Sequence, residues 1–168
     1  MLTALDADPN ALDEHEKNFV ANVREHGWFG THVFADDSGS GFSYSTGFWL
    51  NAAAPEIITF GVKESSNAHQ ALWNVYNDLR KGRVLAPETR ISDILDGLDV
   101  VLLPVDLRFY RDHLGWSVWF YAGDSFPCLQ LVWPDRTNKF PWETGFDLEF
   151  ANSQPDLTSG AWSGLQQV

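Results

Sequence analysis

GFSYSTGFWLNAAAPEIITFGVKESSNAHQALWNVYNDLR, residues 41–80, decides the fold class. From Phe42 to Leu50 aromatic and β-branched residues dominate, the types that suit a pleated, half-buried surface. The small residues Asn51 to Ala54 and then Pro55 break that run. Glu56 to Val62 resumes it as a strand whose nearly unbroken apolar character points to burial on both faces. Beyond it the hydrophobic period changes from strand to helix. Ala68, Ala71, Leu72, Val75, Tyr76 and Leu79 share one helical face, Ser65, Ser66 or Asn67 is placed to cap it, and Arg80 and Lys81 before Gly82 suit the C-terminal dipole.

Working outward, residues 1–12 read as a loose lead-in. Asp13 with Glu16 has the form of a capping box, Phe19, Val20 and Val23 make a narrow apolar stripe, and Gly27 ends that helix. Trp28 to Ala35 is a strand that the turn cluster Asp36 to Gly41 joins to Phe42 as a hairpin. On the C-terminal side, Ile91 to Leu95 is open between helical turn and strand, and Asp99 to Val105 is a strand in which Pro104 marks an edge or an end. Asp106 is placed to cap a segment where Tyr110, Leu114, Val118 and Tyr121 share a helical face that Gly115 weakens. Pro127 to Trp133 is a strand with Leu129, Leu131 and Trp133 on one face and Cys128, Gln130 and Val132 on the other. The order of elements predicts an α+β fold: a mainly antiparallel β-sheet, with a split-barrel-like arrangement as a variant, packed with two to three helices. One domain spans 13–157, and 158–168 is a polar tail of little order.

The chain has 168 residues, 44% of them hydrophobic, which excludes wholesale disorder. No apolar run is long enough to cross a bilayer, and the start is acidic where a secretory signal is basic, so the cytoplasm is the expected compartment. A lone cysteine, Cys128, excludes an internal disulfide framework. Eleven basic against 23 acidic residues leave a net charge of -12, spread as 6 against 11 over residues 1–84 and 5 against 12 over 85–168. A uniformly acidic surface repels phosphate backbones and anionic lipid, so neither nucleic acid nor membrane is an expected partner. Eight Trp, 12 Phe and 4 Tyr are more than a chain of this size needs, and the excess is compatible first with the core and also with a pocket or a contact surface.

Searches for chemistry return little. No nucleophile elbow, phosphate loop or dinucleotide fingerprint occurs. The histidines are scattered, which argues against a zinc site, and His69 at the flank of the long helix reads as a polar tip at a core margin. The apolar neighbours of Cys128 make it a buried thiol. Glu56 and Asp135 each border an apolar strand, where an ionised group needs partners; strand-end capping and turn formation are the plain explanations.

Two constellations stand out. In FSYSTGF, Phe42 to Phe48, the small residues Ser43, Ser45 and Gly47 share a face that lets a ligand or another backbone approach closely. In LVWPDRTNKFPWE, Leu131 to Glu143, two aromatic–proline units bracket a charged turn. With Gly27-Trp28, Pro55-Glu56 leading into Ile57 to Gly61, Leu129 to Asp135, Phe140-Pro141-Trp142 and a later Gln154-Pro155 with Leu157, these blocks resemble the bacterial family known as domain of unknown function 4262, over about Gly27 to Leu157. Ser45 and Phe48 stand where that family more usually shows threonine and leucine. The resemblance implies kinship and no reaction.

The acidic surface, the aromatic surplus and the empty motif searches together predict a non-enzymatic binding protein, of immunity, inhibitor or ligand-sequestering type. Its partner is a basic protein or a small molecule, with no cofactor. The alternative is a small-ligand enzyme, a flavin-binding oxidoreductase on a split barrel, in which Lys63, Ser65 and Ser66 at a helix start suit a phosphate. Whether the chain is an enzyme stays open. The expected site lies between the FSYSTGF strand and the aromatic–proline loop: Tyr44 and Ser45 as hydrogen-bonding groups, Trp133 and Trp142 as stacking walls, and Asp135 with Arg136 as a polar pair. Glu56 is a further candidate.

Overall fold

The structure, a computed structural model, describes residues 1–61 and 65–165. Six strands form one sheet in the order β1-β2-β3-β6-β5-β4. β1 (Phe29–Val33), β2 (Phe42–Thr46) and β3 (Glu56–Phe60) make one antiparallel meander. β4 (Ile91–Leu95), β5 (Leu98–Pro104) and β6 (Cys128–Val132) make another. The two join through a parallel pair, β3 against β6, that sets Glu56 beside Cys128 and Ile58 beside Gln130. This is the α+β architecture on a mainly antiparallel sheet. β1 and β4 stand at opposite edges, so the strands form an open series.

Helices cover both faces of the sheet. α1 (Glu14–His26) starts on the expected capping box, Asp13 Oδ1 accepting from the Glu16 N–H at 2.8 Å while Glu16 Oε2 accepts from the Asp13 N–H at 2.9 Å. Its Phe19 and Val23 pack with Tyr44, Ile58 and Phe60 on one face of the sheet. A four-residue helical turn, α2 (Phe48–Asn51), follows β2. α3 (Ser65–Arg80) lies on the other face, where Ala71, Leu72, Val75 and Tyr76 meet Ile57, Leu102, Leu129 and Leu131. The position that caps α3 lies outside the described residues, and so does Lys63 of the phosphate reading. With both faces covered, every residue of β3 and of β6 is buried, which is why both read as apolar runs.

Several local readings change. Phe42 to Leu50 is not one strand: β2 stops at Thr46, and Gly47, at φ 122°, turns the chain into α2. A Cβ on Gly47 would sit 2.5 Å from the Gly27 carbonyl oxygen, so glycine is demanded by space as well as by backbone. Ile91–Leu95 is a strand. Pro104 ends β5, an inner strand, so it marks a strand end and not an edge. The segment after Asp106 breaks into a 3₁₀ turn (Leu107–Phe109), α4 (Tyr110–His113) and α5 (Gly115–Phe120), yet Tyr110, Leu114 and Tyr121 are buried together as their spacing implies.

Both ends are better anchored than composition suggests. Thr3 is buried and boxes a 3₁₀ turn with Asp6, Leu5 packs against the core, and its carbonyl accepts from Arg24 at 2.7 Å. At the other end α6 (Ala161–Leu165) brings Trp162 against Trp142, with ring centroids 5.8 Å apart. In both segments one or two apolar side chains reach a groove that the polar majority conceals.

Candidate functional site

Within the small-residue face of FSYSTGF, Gly47 lies against the backbone of Gly27 and Trp28, while Ser43 meets the His32 ring. α3 packs across β2 and β1. Ser45 and Glu56 come together there, each with no solvent exposure. The Ser45 hydroxyl donates to Glu56 Oε2 at 2.5 Å and accepts from the Ile57 N–H at 3.0 Å. The carboxylate also accepts from the Tyr121 hydroxyl at 2.5 Å and from the backbone N–H groups of Gly47, Phe48 and Trp49 at 2.9, 3.3 and 3.1 Å. Glu56 thus fills the anion-binding end of α2 from within. Burial pushes its carboxyl up, against the pull of the Ser45, Tyr121 and backbone hydrogen bonds. Burial, and then the neighbouring Glu56, raise the Tyr121 phenol far above its usual value and the Cys128 thiol likewise. These groups are sealed from solvent and spend their hydrogen bonds within the fold. Tyr44 is buried on the opposite face, its hydroxyl accepting from the Trp116 N–H at 3.1 Å.

The aromatic–proline loop is self-satisfied too. Asp135 Oδ1 accepts from the Thr137 N–H, the Thr137 hydroxyl and the Lys139 N–H at 2.8, 2.8 and 3.1 Å, and Oδ2 accepts from the Asp147 N–H at 2.8 Å. Its burial opposes ionisation, but these four donors win and hold the carboxyl down at about 2. Asp135 and Arg136 are not a pair: Arg136 lies over the Phe150 ring, 5.3 Å from its centre. Nor do the two tryptophans face one space. Trp133 packs with the α3 cluster and donates its indole N–H to the Phe60 carbonyl at 2.6 Å, whereas Trp142 stacks on Phe140 in a separate cluster with Trp162. The loop is a plug over the end of β6.

The open clefts lie elsewhere. The largest, about 620 Å³, is walled by the hairpin tip and by the carboxylates of Asp36 and Asp112. A cleft of about 500 Å³ between α3 and β4 is mostly apolar and ends at Trp133. A third, about 550 Å³, lies between the C-terminal end of α1, the edge strand β1 and α3. This third cleft gathers chemistry. The His69 ring stacks on Trp28 at 5.1 Å and 20°, Trp73 lies 6.0 Å from Trp28, and the His32 ring is 5.8 Å from His69. Gly30 makes this possible, since a Cβ there would lie 3.1 Å from His69 Nδ1 and 3.5 Å from His32 Nε2.

His32 Nδ1 is hydrogen-bonded to the Ser43 hydroxyl at 2.7 Å, which leaves Nε2 on the Gly30 side. Burial, and then the His69 ring, hold the His32 imidazole below its usual value, so it is neutral at pH 7. Asn22 and His26 of α1, Phe29 of β1 and Gln70 of α3 complete the walls, and among the described residues no carboxylate lines the cleft. His32 also lines a smaller cleft of about 250 Å³ along the hairpin, again with no carboxylate among the described residues. The cleft holds three histidines, but among the described residues no three His, Cys, Asp or Glu side chains converge for a metal ion. Planar walls with a few polar atoms suit a small organic molecule.

The family model of the domain of unknown function DUF4262 matches residues 22–147. The chain belongs to that family. No curated protein and no solved structure matches the chain. The DUF4262 span contains all six strands, the Glu56 knot, the Asp135 loop and every residue of the histidine cleft from Asn22 to Trp73. It ends before Gln154, whose side chain brackets the Trp133 backbone with hydrogen bonds of 3.0 and 2.8 Å. Among the described residues, no helix of this DUF4262 protein is long and apolar enough to cross a membrane.

Sequence reasoning reads His32 and His69 as scattered, and 37 positions do separate them. The signal lies in register: the hairpin places His32 opposite Ser43, and His69 sits on the first turns of a helix that must cross that hairpin.

Proposed function

We propose that the protein binds a small planar molecule in the cleft formed by Trp28, His32, His69 and Trp73. This is the ligand-sequestering form of a binding protein. The observation that carries it is the stack of the exposed His69 ring on the buried Trp28 at 5.1 Å, in the wall of a cleft of about 550 Å³ that Trp73 also lines. Ring faces bind ring faces, and the neutral His32 beside them supplies a hydrogen-bonding nitrogen at its Nε2. A pocket with aromatic walls and few polar atoms is the usual shape of a small-molecule site. The sites first suspected, at Glu56 and Asp135, have spent their hydrogen-bonding capacity on the fold and offer a ligand nothing.

Ligand-observed NMR against a library of mono- and bicyclic aromatic fragments tests the reading. Binders are expected whose signals weaken at least several-fold with His69→Ala and with Trp73→Ala, both exposed helix positions, and persist with Trp142→Ala. A library without binders, or binders indifferent to both α3 substitutions, contradicts it.

A further inference from the structure

We propose that the ligand of the Trp28–His69 cleft is an aromatic carboxylate, a planar ring carrying one anionic group. The proposal rests on the small-molecule reading above and names its charge.

In a chain with 23 acidic side chains and a net charge of -12, chance alone would put carboxylates around most surface clefts. The largest cleft is lined by Asp36 and Asp112, the apolar cleft beside β4 by Asp96, and the groove beside Tyr76 by Glu25. Among the described residues, the histidine cleft and the smaller hairpin cleft that shares His32 have none, and the histidine cleft carries His26, His32 and His69, one from each of the three elements that build it. Gly30, having no side chain, lets His69 Nδ1 and His32 Nε2 come close to one another, 3.1 and 3.5 Å from where a Cβ would stand with Trp28 at 3.3 Å. Two ring nitrogens near each other and beside a stacked indole match a carboxylate attached to a ring: the ring lies along the aromatic wall and its two oxygens reach the two nitrogens. The acidic surface opposes approach of an anion only at range, because salt screens charges more than about 8 Å apart at physiological ionic strength, while contact with the imidazoles is made inside that distance.

The arrangement ties binding to protonation. His32 faces His69 from α3 and the uncharged Ser43 from β2. His26 comes from α1 with Glu25 3.7 Å from its ring. An anion seated between His32 and His69 favours the charged form of His32, so affinity rises as pH falls through the lowered range of that imidazole. The ligand's own carboxyl, with a pKa of about 4, stays ionised there.

Three bicyclic probes of one shape separate the possibilities: 1-naphthoate, neutral 1-naphthamide and cationic 1-naphthylmethylammonium, titrated into the intact protein by calorimetry at pH 6 and pH 8. Naphthoate is expected to bind about tenfold more tightly than naphthamide at pH 6. That advantage should shrink at pH 8, and His32→Gln and His69→Gln should each bring the ratio towards one. If naphthamide or the ammonium binds as tightly as naphthoate, the charge assignment falls and the ring-binding reading stands. If none of the three binds, the ring-binding reading falls with it.

Discussion

Glu56 is a carboxylate whose partners are all neutral donors: two hydroxyls and three backbone N–H groups. Such a group ties β2, α2, β3 and Tyr121 into one knot, and an amide in its place turns an N–H₂ towards donors. Glu56→Gln is therefore expected to cost about 3 kcal/mol in urea unfolding, with a loss below about 1 kcal/mol speaking against the knot. The two buried carboxyls also titrate with opposite sign. Glu56 has its carboxyl raised from an ordinary 4.5, so the folded state holds its proton more tightly than the unfolded one. Its contribution is greatest in acid and declines as pH climbs from 4.5 through the raised value. Asp135 is lowered from 3.8 to about 2, so its contribution is complete above 3.8 and is lost as pH falls towards 2. Unfolding curves from pH 2.5 to 7 should show the Glu56→Gln deficit narrowing as pH rises and the Asp135→Asn deficit widening; parallel curves would contradict both assignments. Both residues were visible in the sequence as acids bordering apolar strands, and strand-end capping and turn formation are what they do.

Among the elements, those whose signal is local were legible. The Asp13–Glu16 box, the α3 stripe and the alternation of β6 each depend on neighbours within a few residues. β2 was not, because its end depends on Glu56, ten positions beyond Thr46, reaching back to cap α2. Gly47 is where that long-range cap meets the chain. Gly47→Ala is expected to destabilise the protein by about 2 kcal/mol or more, since the new Cβ meets the Gly27 carbonyl and the backbone stays at positive φ. A thermal melt superimposable on the wild type would contradict this turn. The histidine cleft was hidden for a related reason: it forms only where α1, an edge strand and α3 converge, and each element contributes a single histidine to it.

For the molecule as a whole, the class of fold followed from the succession of elements, but the strand order did not. The pairing of β3 with β6 brings Ile57 beside Leu129, 72 positions apart, and nothing in either strand names its partner. That pair is the spine, buried on both faces, with a three-stranded meander on each side. Hydrogen exchange should accordingly be slowest in β3 and β6 and fastest in β1 and β4. Equal protection across the sheet would contradict the layered description. The net charge of -12 belongs to this scale as well, and among the described residues the histidine cleft departs from it in having no carboxylate in its walls.

The most direct test of that cleft is side-chain NMR of the histidine and tryptophan ring nitrogens while 1-naphthoate is added. Shifts at His32, His69 and Trp73, with Trp133 and Trp142 unmoved, are the predicted result. Shifts at Trp133 or Trp142 with the histidines silent would place the site at the aromatic–proline loop and contradict the account.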